Sequence, residues 1–149
     1  MAFDLKLIET NNGGDFVNLG NDLAVTNGII TMIYLALFGG NNWWANDLLM
    51  KSQPSQMFNS ITETTLNNTA LNSEGRTVIE NAVKTDLKYL SDLFNITVNV
   101  TLPKLDTVQI NLTIIELDKS QKTNLIITLQ KTKTGDFSIL DFSVSDFLI

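Results

Sequence analysis

Apolar and polar positions change period along this chain, and each change marks an element. Phe3, Leu5 and Leu7 alternate with Asp4 and Lys6, the pattern of a half-buried strand. Asn11-Asn12-Gly13-Gly14 is turn chemistry, and residues 15–19 read as the return strand of a β-hairpin. From 29 to 38 the residues are apolar on nearly every side: Ile29, Ile30, Met32, Ile33, Leu35, Ala36, Leu37 and Phe38. A helix without a polar face is a buried helix. Thr26 or Asn27 can cap its start, and Gly39-Gly40 can close its end because glycine tolerates left-handed dihedrals. Both tryptophans of the chain, Trp43 and Trp44, follow in a polar loop. Pro54 breaks any helix at 52–55. Phe58, Ile61, Leu66 and Ala70 keep a loose helical spacing in a Thr- and Asn-rich stretch, which reads as a weak helix or a structured loop.

Residues 73–94 carry the clearest helical period. Ile79, Ala82, Val83, Leu87, Leu90 and Phe94 trace an i, i+3, i+4, i+7 stripe with Asp86 at its margin. Glu80, Lys84, Lys88 and Asp92 occupy the opposite face, and Asn72 or Ser73 supplies the N-cap. About 22 residues at 1.5 Å rise give a helix of roughly 33 Å, enough to cover a sheet face. From Asn95 the period becomes two. Ile96, Val98, Val100 and Leu102 form one alternating run, ended by Pro103; Val108, Ile110, Leu112 and Ile114 form the next; Leu125, Ile127 and Leu129 a third. The fourth run, 137–144, changes phase: Phe137 and Ile139 are odd, whereas Leu140, Phe142 and Val144 are even. Such a shift predicts a bulge or an end to pairing near Ile139 and Leu140. The layout is α+β: an N-terminal β-hairpin, a buried short helix, a long amphipathic helix and a C-terminal antiparallel meander packed on the helices. No linker or repeat interrupts it, so 149 residues read as one domain spanning 1–149.

Composition narrows the chemistry. The formal net charge is −6 and Arg76 is the single arginine, which argues against nucleic acid or an anionic membrane as partner. Absent cysteine and histidine remove thiolate chemistry and the commonest general base and metal ligand. The first ten residues lack a basic stretch followed by an apolar one, and the apolar run at 29–38 is about half the ~20 residues that cross a bilayer. The sixteen acids are scattered without metal-ligand spacing, and the glycines form turns rather than a phosphate-cradling loop. Glu80 and Lys84 have the order of a favourable i,i+4 pair worth ~0.2–0.5 kcal/mol, a solvated face rather than a catalytic pair. No catalytic, metal-binding or cofactor-binding residue is expected, and no cofactor.

Partner contacts are the remaining chemistry. Trp43 and Trp44 have two readings, a ring that plugs the core beside the buried helix or an exposed aromatic anchor for a protein partner, and both can hold at once because adjacent rings in a loop often point apart. The C-terminal stretch with Phe142, Val144 and Phe147 is either the last strand of the sheet or an edge that accepts a strand from another chain. An open antiparallel sheet has two edges, and alternation does not say which strands form them.

The stretch GNDLAVTNGIITMIYLALFGGNNWWAND resembles the N-terminal signature of the phage Mu-type baseplate wedge proteins, through Gly20, Asp22, Leu23, Gly28, Leu37, Phe38, Trp43 and Trp44. Asn21 interrupts the opening of that signature, and Ala45 stands where a glycine commonly follows the tryptophans. The stretch LNSEGRTVIENAVKTDLKYLSDLF resembles the family's long helix through Leu71, Ser73, Gly75, Ile79, Glu80, Ala82, Val83, Asp86, Leu87 and Leu90. The resemblance covers roughly residues 3–132. The family is similar to the lysozyme-like wedge proteins of contractile tails and to the matching subunit of type VI secretion baseplates. It implies a structural subunit, present in several copies in a sixfold assembly, that joins wedge proteins and nucleates sheath assembly through a sheet edge. Implied partners are other baseplate wedge proteins, the sheath protein, and tube or hub proteins, without nucleic acid or membrane. The implied location is the baseplate of a virion tail or injection particle, made in the host bacterial cytoplasm. A Glu-Pro-Arg motif of the wider group is missing here, so its role is not transferred.

Two rival readings remain. A peptidoglycan-cleaving lysozyme would need an acid with a raised pKa in an aromatic cleft, an acid such as Asp47 beside Trp43 and Trp44. A free-standing protein- or glycan-binding module would use the tryptophan loop alone.

Overall fold

The computed structural model describes residues 3–5, 7–8, 15–16, 25–39, 59–118 and 122–146, with side chains at 28–39, 59–118 and 122–142. By its internal contacts the chain divides into two units, Met1–Glu63 and Thr64–Ile149.

In the first unit, the apolar run folds as helix α1 (Gly28–Phe38), with Ile33, Tyr34, Ala36, Leu37 and Phe38 buried together with Thr31. Ile29, Ile30, Met32 and Leu35 are half-buried, so burial is deepest toward the helix C-terminus. Tyr34 and Phe38, one turn apart, stack tilted with ring centroids 5.6 Å apart. The last carbonyls of a helix have no partner within it. Here the Gly39 N–H donates to Leu35 at 2.8 Å, the Ser60 hydroxyl donates to the Leu37 carbonyl, and the Ser60 N–H donates to Gly39. Two short antiparallel pairs precede α1. Strand β1 (Phe3–Leu5) pairs with β4 (Val25–Asn27), and β2 (Leu7–Ile8) pairs with β3 (Asp15–Phe16). The alternation at 3–7 thus serves two pairings rather than one hairpin arm. Thr26 and Asn27, expected at a helix cap, lie in β4 opposite Asp4 and Phe3. The expected turn at 11–14 and the loop with Trp43, Trp44, Asp47 and Pro54 lie outside the described residues.

Helix α2 (Thr62–Asn68) resolves the ambiguous Thr/Asn-rich stretch as a short helix, with Thr62 and Leu66 buried. Helix α3 (Ser73–Leu87) is the amphipathic helix, burying Ile79, Ala82, Val83 and Leu87. The cap is Asn72, whose Oδ1 accepts the Gly75 N–H at 2.8 Å. Gly75 is required by close approach: a Cβ there would meet the Ala70 carbonyl oxygen at 1.7 Å.

The helix is shorter than its apolar stripe suggests. Lys88–Leu90 tighten into a 3-10 turn, Ser91 and Leu93 donate back to Lys88 and Leu90, and Phe94 is already in a strand. The stripe continues through Leu90 and Phe94 because both sides of this corner need an apolar residue; Leu90 is buried and Phe94 half-buried.

Strands β5 (Phe94–Lys104), β6 (Thr107–Glu116), β7 (Lys122–Lys131) and β8 (Phe137–Asp146) form an antiparallel sheet in the order β5-β6-β7-β8, with α3 packed on β5. The chain is therefore α+β, with an antiparallel sheet against helices. Register aligns the apolar alternations row by row. Val98, Leu112, Leu125 and Val144 form one row, and Val100, Ile110, Ile127 and Phe142 the next. Every described side chain of these rows on β5, β6 and β7 is buried. Pro103 does not end β5. It sits where the register shifts between Thr101 and Lys104, a place open to proline because β5 is an edge strand. The phase change in the last run is a bulge: Asp141 pairs with Thr128 and Ile139 with Leu129, leaving Leu140 as the extra, exposed residue. At the β7–β8 turn Gly135 takes φ 93°, and Lys131 lies over the Phe137 ring at 5.9 Å.

Asp106 ties the β5–β6 turn to β7. Its carboxylate accepts from Gln130 Nε2 and Thr107 Oγ1, each at 2.9 Å, and its carbonyl accepts the Lys131 N–H at 2.8 Å. These bonds, Gln130 first and Thr107 next, hold the carboxyl below its ordinary range.

Two predictions follow from these contacts. Gly75→Ala should lower unfolding free energy by about 1–3 kcal/mol, because the clash is with backbone that cannot swing away; urea denaturation measures it. A carboxyl with a depressed folded pKa adds stability above its unfolded pKa and loses it as pH falls through the folded one. Asp106→Asn should therefore be less stable than the parent at pH 7, with the gap closing as pH drops below about 4.

Candidate partner interface

The two edges of the sheet differ in what lies on them. Edge strand β5 is packed by α3, and the helix reaches its backbone through Arg76, whose Nη1 donates to Glu80 Oε2 at 2.9 Å and to the Val100 carbonyl at 3.4 Å. Glu80 holds the arginine in place from one turn along and also pairs with Lys84 at 3.3 Å. A helix beside an edge strand and a guanidinium on one of its carbonyls disfavour the addition of another strand.

Edge strand β8 carries no neighbouring strand on its outer side among the described residues. The bulge at Leu140 splits it, and a continuous ladder runs only from Asp141 to Asp146 against β7. Its charge is one-sided: Asp136, Asp141 and Asp146 belong to residues 134–149, which contain no lysine or arginine. Of the residues expected to bind a partner, Phe142 and Val144 fall on this edge, opposite Ile127 and Leu125, and Phe142 is half-buried. Trp43, Trp44 and Phe147 lie outside the described residues, so the structure brings only that pair together.

The opposite face of the sheet is mostly polar, with Ile115 and Ile126 among its residues and little charge. Thr97, Thr113 and Asn124 form one row, and Thr101, Gln109, Thr128 and Asp141 another. Thr113 donates to Asn124 across the strands at 3.0 Å.

At one end of β5, a groove of about 300 Å³ separates the last turn of α3 from the start of the strand. Leu87, Phe94, Ile96, Val98 and Leu117 form its apolar lining, with Lys84 and Lys88 among its walls. Among the described residues no carboxylate lines it. Glu63, in the first turn of α2, has its carboxyl pushed up by burial but is not part of this groove. Among the described residues no cluster of three or more acids could hold a metal, and no helix is long and apolar enough to cross a membrane.

Comparison with protein-family models, with curated proteins and with solved structures finds no match to this chain.

Two features escaped the sequence reading. The Arg76–Glu80 spacing was visible, but its reach to Val100 depends on where α3 lies. The groove depends on the helix stopping at Leu87, several residues short of the end of its apolar stripe.

Arg76→Ala should cost no more than about 1 kcal/mol, since the guanidinium is 40% exposed and its ion pair is screened. It should also uncover the β5 edge, so light scattering should detect more self-association than in the parent.

Proposed function

We propose that this chain is a structural subunit of a contractile tail baseplate, joining wedge proteins and offering the β8 edge to a strand of the protein that begins the sheath. The observation that carries this reading is the asymmetry of the sheet, closed at β5 by α3 and Arg76 and without a strand neighbour at β8 among the described residues. An added strand gains main-chain hydrogen bonds along the ladder and places alternate side chains beside Phe142 and Val144.

The resemblance to the Mu-type wedge proteins supports the same reading through its order of elements: hairpin, buried helix, long helix, meander. Several of the matching positions are core positions, among them Leu37, Phe38, Ile79, Val83, Leu87 and Leu90. They speak for a shared scaffold, and the edge supplies the function. The acids along β8 favour an incoming strand that carries lysine or arginine. In this reading the chain acts by contact and performs no catalysis. It is present in several copies around a sixfold baseplate.

Electron cryo-microscopy of tail particles should find the chain at the baseplate, with β8 extended by a strand from a neighbour; a position elsewhere overturns the proposal. Asp141→Lys should leave the isolated chain folded by circular dichroism while cutting the yield of sheathed particles. Unchanged sheath assembly would speak against the β8 edge.

A further inference from the structure

The groove at the end of α3 is independent of the β8 edge and has its own chemistry. On β5 the core-facing residues are Phe94, Ile96, Val98 and Val100, yet only Val98 and Val100 are buried. Phe94 and Ile96 are half-buried because α3 ends at Leu87 and the chain turns away through the 3-10 segment. Leu117, 58% exposed, closes the same groove from the end of β6. An apolar lining left half open is a place for another apolar side chain, and about 300 Å³ is the lower end of the range for ligand sites.

The lysines say what must accompany that side chain. Lys84 and Lys88 lie four residues apart on α3 and its 3-10 extension, about 6 Å along the axis at 1.5 Å per residue. An extended chain repeats its side chains on one face every two residues, about 6.6 Å. Lys84 shares Glu80 at 3.3 Å, and Lys88 has no ion-pair partner among the described residues. We propose that the groove docks an extended segment of a partner protein in which acidic and aliphatic residues alternate. The carboxylates meet Lys84 and Lys88, and the intervening aliphatic side chains enter between Leu87, Phe94 and Ile96. In a chain of net charge −6, this lysine pair is a local exception that an acidic segment can use once in contact.

The test is a titration of the ¹⁵N-labelled full chain with an acetylated, amidated hexapeptide that alternates aspartate and leucine. Saturable shifts are expected at the amides of Lys84, Lys88, Phe94 and Leu117, weakening as salt is raised. Lys88→Glu should weaken binding by roughly tenfold, the loss of one charge-assisted contact. The matching lysine–leucine peptide should produce no saturable shift. Absence of saturable shifts with the acidic peptide overturns the proposal, as does an equal response to both peptides or unchanged binding by Lys88→Glu. A response to dodecanoate without one to the peptide also overturns it, in favour of a small amphiphile. None of these outcomes depends on Asp141 or on sheath assembly, so the groove and the β8 edge stand or fall separately.

Discussion

The packing of α3 on β5 sets the character of the whole second unit. Five positions of the helix are buried, Gly75, Ile79, Ala82, Val83 and Leu87, and it packs against β5. Burying a large aliphatic side chain contributes ~1.5–3 kcal/mol, so this contact fixes the helix firmly. Gly75 sets its distance at the N-terminal end, where the chain from Ala70 passes too close for any side chain. Once the helix is there, Arg76 falls within reach of Val100, and the two sheet edges cease to be equivalent.

That asymmetry manages a hazard. An edge of alternating apolar and polar residues is a template for uncontrolled pairing. On β5 the hazard is met by cover: a helix, a guanidinium, and Pro103 at the register shift. On β8 it is met by charge and irregularity. Asp141 and Asp146 give the strand two like charges, with no lysine or arginine, and the Leu140 bulge shortens the regular ladder. Like charges on an edge repel self-pairing.

The repeating parts of this fold were legible because one physical pattern decided each of them. Alternation identified all four strands of the meander, and the phase change at Ile139 and Leu140, which left a bulge or an end to pairing open, is a bulge with pairing continuing on both sides. The apolar run closed by Gly39 likewise gave α1. What failed were features decided by partners distant in sequence. Strand β4 is three residues long and exists because β1 lies beside it; Val25, Thr26 and Asn27 show no period of their own. The end of α3 was misplaced because an apolar stripe continues through Leu90 and Phe94 after the helix itself has stopped. Pro103 misled in the opposite sense, since its missing N–H matters only where a ladder bond is needed, and at an irregularity on an edge strand none is. For the interface, Phe142 and Val144 were legible as apolar strand positions, but that they lie on the terminal strand of the sheet, among the described residues, follows from strand order.

The early end of α3 is also why the groove exists. Had α3 continued to Phe94, its last turns would have covered the start of β5, and Phe94 and Ile96 would be as buried as Val98 and Val100. Instead the chain spends Lys88–Leu90 on a tighter turn, and Leu90 takes the corner position at 1% exposure. The tightening brings the end of the helix and the start of β5 together at a corner while leaving an apolar gap between them. Lys84 and Lys88 come to line that gap because the helical repeat that buries Val83 and Leu87 directs the next positions outward. A boundary that sequence periodicity places only loosely thus decides whether this end of the sheet is sealed core or accessible surface.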